Sequence, residues 1–89
     1  MTEPQYAADA SAGPNVGLTI DALGRSCPVP VIMLAERIHE VAPGETIEVL
    51  SDDPAATTDL PDWCQLRGHL LVQLEKREVG WSFLVRRLH

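Results

Sequence analysis

The sequence predicts an α/β (α+β) two-layer sandwich of order βαβαββ, a four-stranded mixed sheet with two helices packed on one face. Three observations carry this fold. Apolar residues alternate with period two in four short stretches, recur at spacings of three and four in the segment after the first stretch, and are separated by Pro and Gly at every junction.

The first strand begins at Leu18, where Leu18 and Ile20 alternate with Thr19 and Asp21, and it ends at Ala22 or Leu23 before Gly24. From Pro28 to Val41, the residues Val31, Leu34, Ala35, Ile38 and Val41 form one apolar stripe while Glu36, Arg37 and Glu40 face water. Pro43-Gly44 stops that helix. Residues 46–50 resume alternation and, reached through a crossover helix, should lie parallel to the first strand.

Ser51-Asp52-Asp53-Pro54 opens the second helix, with Asp53 as N-cap and Pro54 at the first helical position. Pro61 predicts a kink or break near Leu60, and Gly68 ends the helix after Arg67. Leu70, Val72 and Leu74 then alternate with Leu71, Gln73 and Glu75, and Trp81, Phe83 and Val85 with Ser82, Leu84 and Arg86. A turn at Arg77 to Gly80 joins these runs into an antiparallel hairpin.

A chain of 89 residues allows one domain. Residues 1–17 lack apolar periodicity and are expected to be a flexible lead-in, which leaves residues 18–89 as the domain. Such a domain is near the lower size limit for an unaided core. Seven Lys plus Arg against thirteen Asp plus Glu give a net charge of −6, which argues against direct nucleic-acid binding. Lys76, Arg77, Arg86 and Arg87 sit late in the strands, where charges keep sheet edges soluble. The N-terminus has no basic-then-apolar leader and no segment is long enough to span a bilayer, so a cytoplasmic monomer is expected. Two cysteines, Cys27 and Cys64, are expected to be reduced.

Cys27 is the candidate catalytic residue. It stands in Leu23-Gly24-Arg25-Ser26-Cys27-Pro28-Val29-Pro30, at the mouth of the first helix, with Pro28 placed for the first helical position and Cys27 as N-cap. A sulfur there meets the positive end of the helix and its unpaired amides, which favour thiolate, and Arg25 adds a nearby positive charge. Pro28 and Pro30 lack amide protons and stiffen the loop, and the amide of Val29 is the local donor to the sulfur. The competing reading is a small buried hydrophobe without chemistry.

Other residues divide in the same manner. Cys64, among Leu60, Trp63 and Leu66, is either a resolving thiol or a core cysteine. His69 is either a base near Cys27 or a histidine that orders a turn. Met33 lies off the apolar stripe near Cys27 and is either a docking residue or a partly buried edge residue. Trp63 and Trp81 are core or interface anchors, and Asp52 and Asp53 are assigned to helix capping. A thioredoxin-like motif fails because position 30 is Pro, and His39, His69 and His89 lack metal-ligand spacing with either cysteine. No metal and no cofactor is expected.

The segment Leu23 to Pro30 resembles the Cys-Pro-X-Pro signature of the TusA-like (SirA-like) sulfur-carrier family. Asp53-Pro54, Asp59-Leu60-Pro61-Asp62-Trp63-Cys64 and Gly68-His69 resemble that family's second-helix pattern, and the likeness runs from Leu18 through Arg87. The resemblance implies a persulfide carried on Cys27, loaded by a cysteine desulfurase or rhodanese-type donor. It further implies delivery to an acceptor protein in tRNA thiolation, molybdenum-cofactor assembly or sulfur oxidation. The alternative is a non-catalytic interaction or regulatory module of the same fold with a structural Cys27.

Overall fold

In the computed structural model, which describes residues 16–89, strand β1 spans Val16–Asp21. The strand therefore starts two residues before the expected boundary, and the rest of the expected lead-in, residues 1–15, lies outside the described residues. Helix α1 is Val29–Arg37, followed by a 3-10 turn at Ile38–Glu40, so the last part of the expected helix tightens before Val41. Strand β2 is Thr46–Ser51, α2 is Ala56–Arg67, β3 is Leu70–Lys76 and β4 is Trp81–Arg86.

The sheet order is β1-β2-β4-β3. β1 pairs parallel to β2, β2 antiparallel to β4, and β4 antiparallel to β3. This is the expected four-stranded mixed sheet with two helices. Ile20, Ile47, Val49, Phe83 and Val85 from the sheet meet Leu34 of α1 and Ala56, Leu60 and Cys64 of α2 in one buried core. On the opposite face Glu48 accepts hydrogen bonds from the Ser82 hydroxyl at 2.7 Å and the Thr19 hydroxyl at 3.4 Å, and pairs with Arg77 at 3.2 Å. A polar face of this kind lets an open sheet stand against water.

Asp53 and Pro54 precede α2, whose N-cap is Ala55, so Asp53 is not the helix cap, and two further local expectations fail for identifiable reasons. α2 runs without a break through Pro61, although proline forfeits the bond to the carbonyl four residues back. Ala56, Leu60 and Cys64, four residues apart, are all buried on the sheet. Burying Leu60 alone contributes about 2 kcal/mol, and the whole stripe offsets a proline cost of about 3 kcal/mol. In β3 the strict alternation is interrupted by a register shift between Leu71 and Gln73. Leu71 then opposes Val85, and Leu74 opposes Phe83. Both therefore lie on the helix-facing side, and Leu70 falls on the other.

The hairpin turn closes with the Arg77 amide donating to the Gly80 carbonyl at 2.9 Å, as the turn residues predict. Gly80 has φ +72°, and a Cβ there would collide with the Ser51 carbonyl oxygen and approach the Asp52 Cα to 2.7 Å. Gly80→Ala is expected to destabilise the domain by at least about 2 kcal/mol, seen as a lower urea midpoint at unchanged slope.

Candidate functional site

The site lies where the loops after β1 and β2 meet. Because these strands are adjacent and parallel, both loops emerge at the same edge of the sheet, the usual location of sites in parallel α/β pairs. The Ala22 amide extends the pairing to the Leu50 carbonyl, and the chain then turns at Gly24, φ +80°. Two aspartates of the β2–α2 loop hold this turn from across the gap. Asp52 Oδ1 accepts from the Gly24 amide at 3.0 Å, and Asp53 Oδ2 accepts from the Cys27 amide at 2.8 Å. The second oxygen of Asp53 accepts from the Ala55 amide at 2.9 Å, and these two bonds hold its carboxyl below the usual range.

Cys27 is partly exposed and packs against the rim of the core. It precedes the helix instead of capping it: Pro28, joined to Cys27 by a cis peptide bond, occupies the N-cap position, and Pro30, buried, sits in the first turn. The Val29 amide donates to the Ser26 carbonyl at 2.9 Å, so it is not the donor to the sulfur.

The expected depression of the thiol pKa does not occur in the free protein. Burial first, then the charges of Asp59 and Asp53 and a hydrogen bond to Asp59, push the Cys27 thiol up to about 11. The groups that act on it do not include Arg25, which is exposed. The helix-mouth argument weighed the backbone and Arg25, and burial together with two carboxylates brought in by the tertiary fold outweighs it.

Met33 is half-buried against the core. The exposed apolar side chains at this end are Leu23, Val29 and Ile32. Cys64 is 2 % exposed, and burial raises its thiol to about 11, the signature of a core cysteine. His69 lies beyond the far end of α2, about 18 Å of helix away from the loop that holds Cys27. Its ring stacks between Trp63 and His89, its Nδ1 accepts from the Leu88 amide at 3.1 Å, and burial lowers its pKa. It orders a turn and is not a base for Cys27. Trp81 carries Lys76 Nζ 4.8 Å above its ring. No group of three or more potential metal ligands occurs among the described residues.

The family described as sulfurtransferase TusA has a model that matches residues 18–87. The chain belongs to the TusA sulfurtransferase family. A crystal structure of a SirA-like protein from Desulfitobacterium hafniense is similar to this chain, at 27 % identity and TM-score 0.66, over 78 % of this chain and 93 % of that one. Both TusA-like motifs read in the sequence lie inside the matched span; the fold brings the start of the second to Cys27, while its Gly68-His69 end lies at the far end of α2. The first supplies Cys27, and the second supplies Asp53, Asp59 and the buried stripe of α2.

Asp52, Asp53 and Asp59 are the site residues that capping logic alone did not reveal. The signal was available in the topology: a parallel β1/β2 pair forces the Asp52-Asp53 loop to abut the Cys27 loop. A pH dependence follows for this TusA-family domain. Because the folded thiol titrates near 11, alkylation of Cys27 by iodoacetamide should be slow near pH 7 and rise steeply only through the alkaline range. A plateau already reached at about pH 7.5 would show a depressed thiol instead. The linkage sign agrees. A thiol whose folded pKa is raised from 9.0 to about 11 loses stabilisation as pH rises between those values.

Proposed function

We propose that residues 18–89 form a sulfur-relay domain in which Cys27 carries sulfane sulfur as a persulfide between a donor enzyme and an acceptor protein. The observation that supports this reading is a partly exposed cysteine at the junction of two loops, its amide fixed by Asp53. Sulfur exchange requires access for an incoming persulfide and a stable backbone to hold the product, and both are present. Family membership favours a donor of the cysteine desulfurase or rhodanese type. The acceptor would belong to tRNA thiolation, molybdenum-cofactor assembly or sulfur oxidation, in a cytoplasmic setting.

Among the described residues no helix is long and apolar enough to cross a membrane. With a net charge of −6, complementary basic faces on the partners would speed docking, at a rate that falls with added salt. The chemistry calls for no cofactor, and the persulfide is cargo.

The test is intact-mass spectrometry of the reduced protein after incubation with a cysteine desulfurase and cysteine. A gain of one sulfur atom located on Cys27 supports the carrier, and no gain with an active donor removes that donor class. A second reading, an interaction module with a structural Cys27, is favoured by one observation, the high pKa of the free thiol. A thiol that no alkylating reagent reaches even at alkaline pH would select it.

A further inference from the structure

At the far end of α2 from Cys27, the segment that follows β4 is held by two imidazoles whose hydrogen bonds have fixed directions. The Leu88 main-chain amide donates to His69 Nδ1 at 3.1 Å. An amide can only donate, so Nδ1 carries no proton and the neutral ring keeps its proton on Nε2. The His69 ring is stacked on Trp63, with centroids 5.5 Å apart, and on His89, with centroids 4.8 Å apart. His89 uses its Nε2 to donate to the Arg67 carbonyl at 2.9 Å, and its main-chain oxygen accepts from Arg87 Nε at 3.0 Å. Leu88 and His89 are thus closed over the corner Arg67-Gly68-His69, so tightly that a Cβ on Gly68 would stand 3.0 Å from His89 Nε2. Arg87 is anchored elsewhere. Its amide donates to the Glu45 carbonyl at 2.9 Å and its Nη1 to the Val41 carbonyl at 2.6 Å, and neither bond involves a group that titrates near neutrality.

We propose that His69 is a pH-sensitive latch: with Nδ1 bare it holds Leu88 and His89 closed over the end of α2, and its protonation in mildly acid solution releases them while Arg87 stays anchored. The reason is the sense of one bond. A proton on Nδ1 turns the acceptor into a donor, and two N–H groups that face each other cannot bond. The charged groups around the ring are Arg67 of α2 and Arg87 and His89 of the segment, all of them cationic when charged. None of the ion pairs among the described residues brings a carboxylate to it. The Trp63 face is the one neighbour that favours a cation, and burial with the like charges outweighs it, so the folded ring titrates below its usual 6.5. The sign follows. The unfolded chain binds the proton more readily, and the stability that the neutral ring contributes is lost as pH falls below 6.5. Opening frees the Arg67 carbonyl at the end of α2 and uncovers the His69 ring where His89 stacks on it.

The test is nitrogen-15 NMR of the full chain, read at the imidazole nitrogens and at the amides of Arg87 and Leu88 from about pH 7.5 down to about pH 5. At the upper end the His69 ring should show Nδ1 bare and Nε2 protonated. As His69 titrates, hydrogen-exchange protection of the Leu88 amide, corrected for the intrinsic effect of pH, should fall about five-fold, the equivalent of one hydrogen bond. Protection of the Arg87 amide should hold. His69→Asn offers a carboxamide oxygen where Nδ1 stands and does not titrate, so it should keep Leu88 protected down to the lower end. His69→Ala should leave Leu88 unprotected throughout. A proton on Nδ1 of wild type at about pH 7.5 would overturn the proposal, as would Leu88 protection that does not follow the titration of His69. Loss of protection in His69→Asn at the wild-type midpoint would also overturn it, because the trigger would then be another group. The first two readings need only wild type, so they decide the matter even if a variant fails to fold.

Discussion

Cys27→Ser is expected to reduce sulfur loading to below about one per cent of wild type, while Cys64→Ala loads normally. The asymmetry follows from chemistry and from place. A serine hydroxyl forms no stable bond to sulfane sulfur, and its proton is far more tightly held than that of a thiol. Cys27 is the cysteine that solvent reaches; Cys64, 2 % exposed within the α2 stripe, cannot meet a persulfide borne by another protein. The exchange changes one atom at a position whose backbone is held from both sides, by Asp53 at the Cys27 amide and by the Val29-to-Ser26 turn bond. The loss should therefore come without a change in melting behaviour. Mass spectrometry after donor incubation reads the first quantity and thermal unfolding the second. Loading retained in Cys27→Ser and lost in Cys64→Ala would move the function to the core cysteine and overturn the site assignment.

Phe83→Ala is expected to remove most of the stability of the domain. Phe83 is 0 % exposed on β4 and opposes Val49 on β2 and Leu74 on β3, so it ties the central strands to the helix layer. Emptying such a site costs about 3–5 kcal/mol. A domain of this size holds about 4–10 kcal/mol in all. The variant should melt at a much lower temperature by circular dichroism, or be unfolded at growth temperature. Leu66→Ala, at a position 79 % exposed, should stay within about 0.5 kcal/mol of wild type. A Phe83→Ala loss no larger than that of Leu66→Ala would mean that the core lies elsewhere.

Local rules made most of the fold legible. Alternation in β1, β2 and β4, the stripe from Val31 to Ile38 and the glycine after Arg67 are all properties of neighbouring residues, and each element appears where those residues stand. The exceptions are instructive. Pro61 predicts a break on local grounds, but the helix holds because Ala56, Leu60 and Cys64 are pressed against the sheet. The bulge in β3 is invisible in a run of alternating residues, since it is set by register with β4. At the candidate site, the sequence singles out Cys27, the more exposed of the two cysteines. It does not reveal Asp53 as the anchor of its amide, because the two lie 26 positions apart.

The sequence by itself therefore determined the elements, their order, the family and the candidate position for chemistry, each of which is encoded in short-range pattern or motif. Only the tertiary structure decided the charge state of that position. Desolvation and Coulomb forces act through space, and the parallel pairing of β1 with β2 delivers two carboxylates to a thiol whose chain neighbours promised it a positive field.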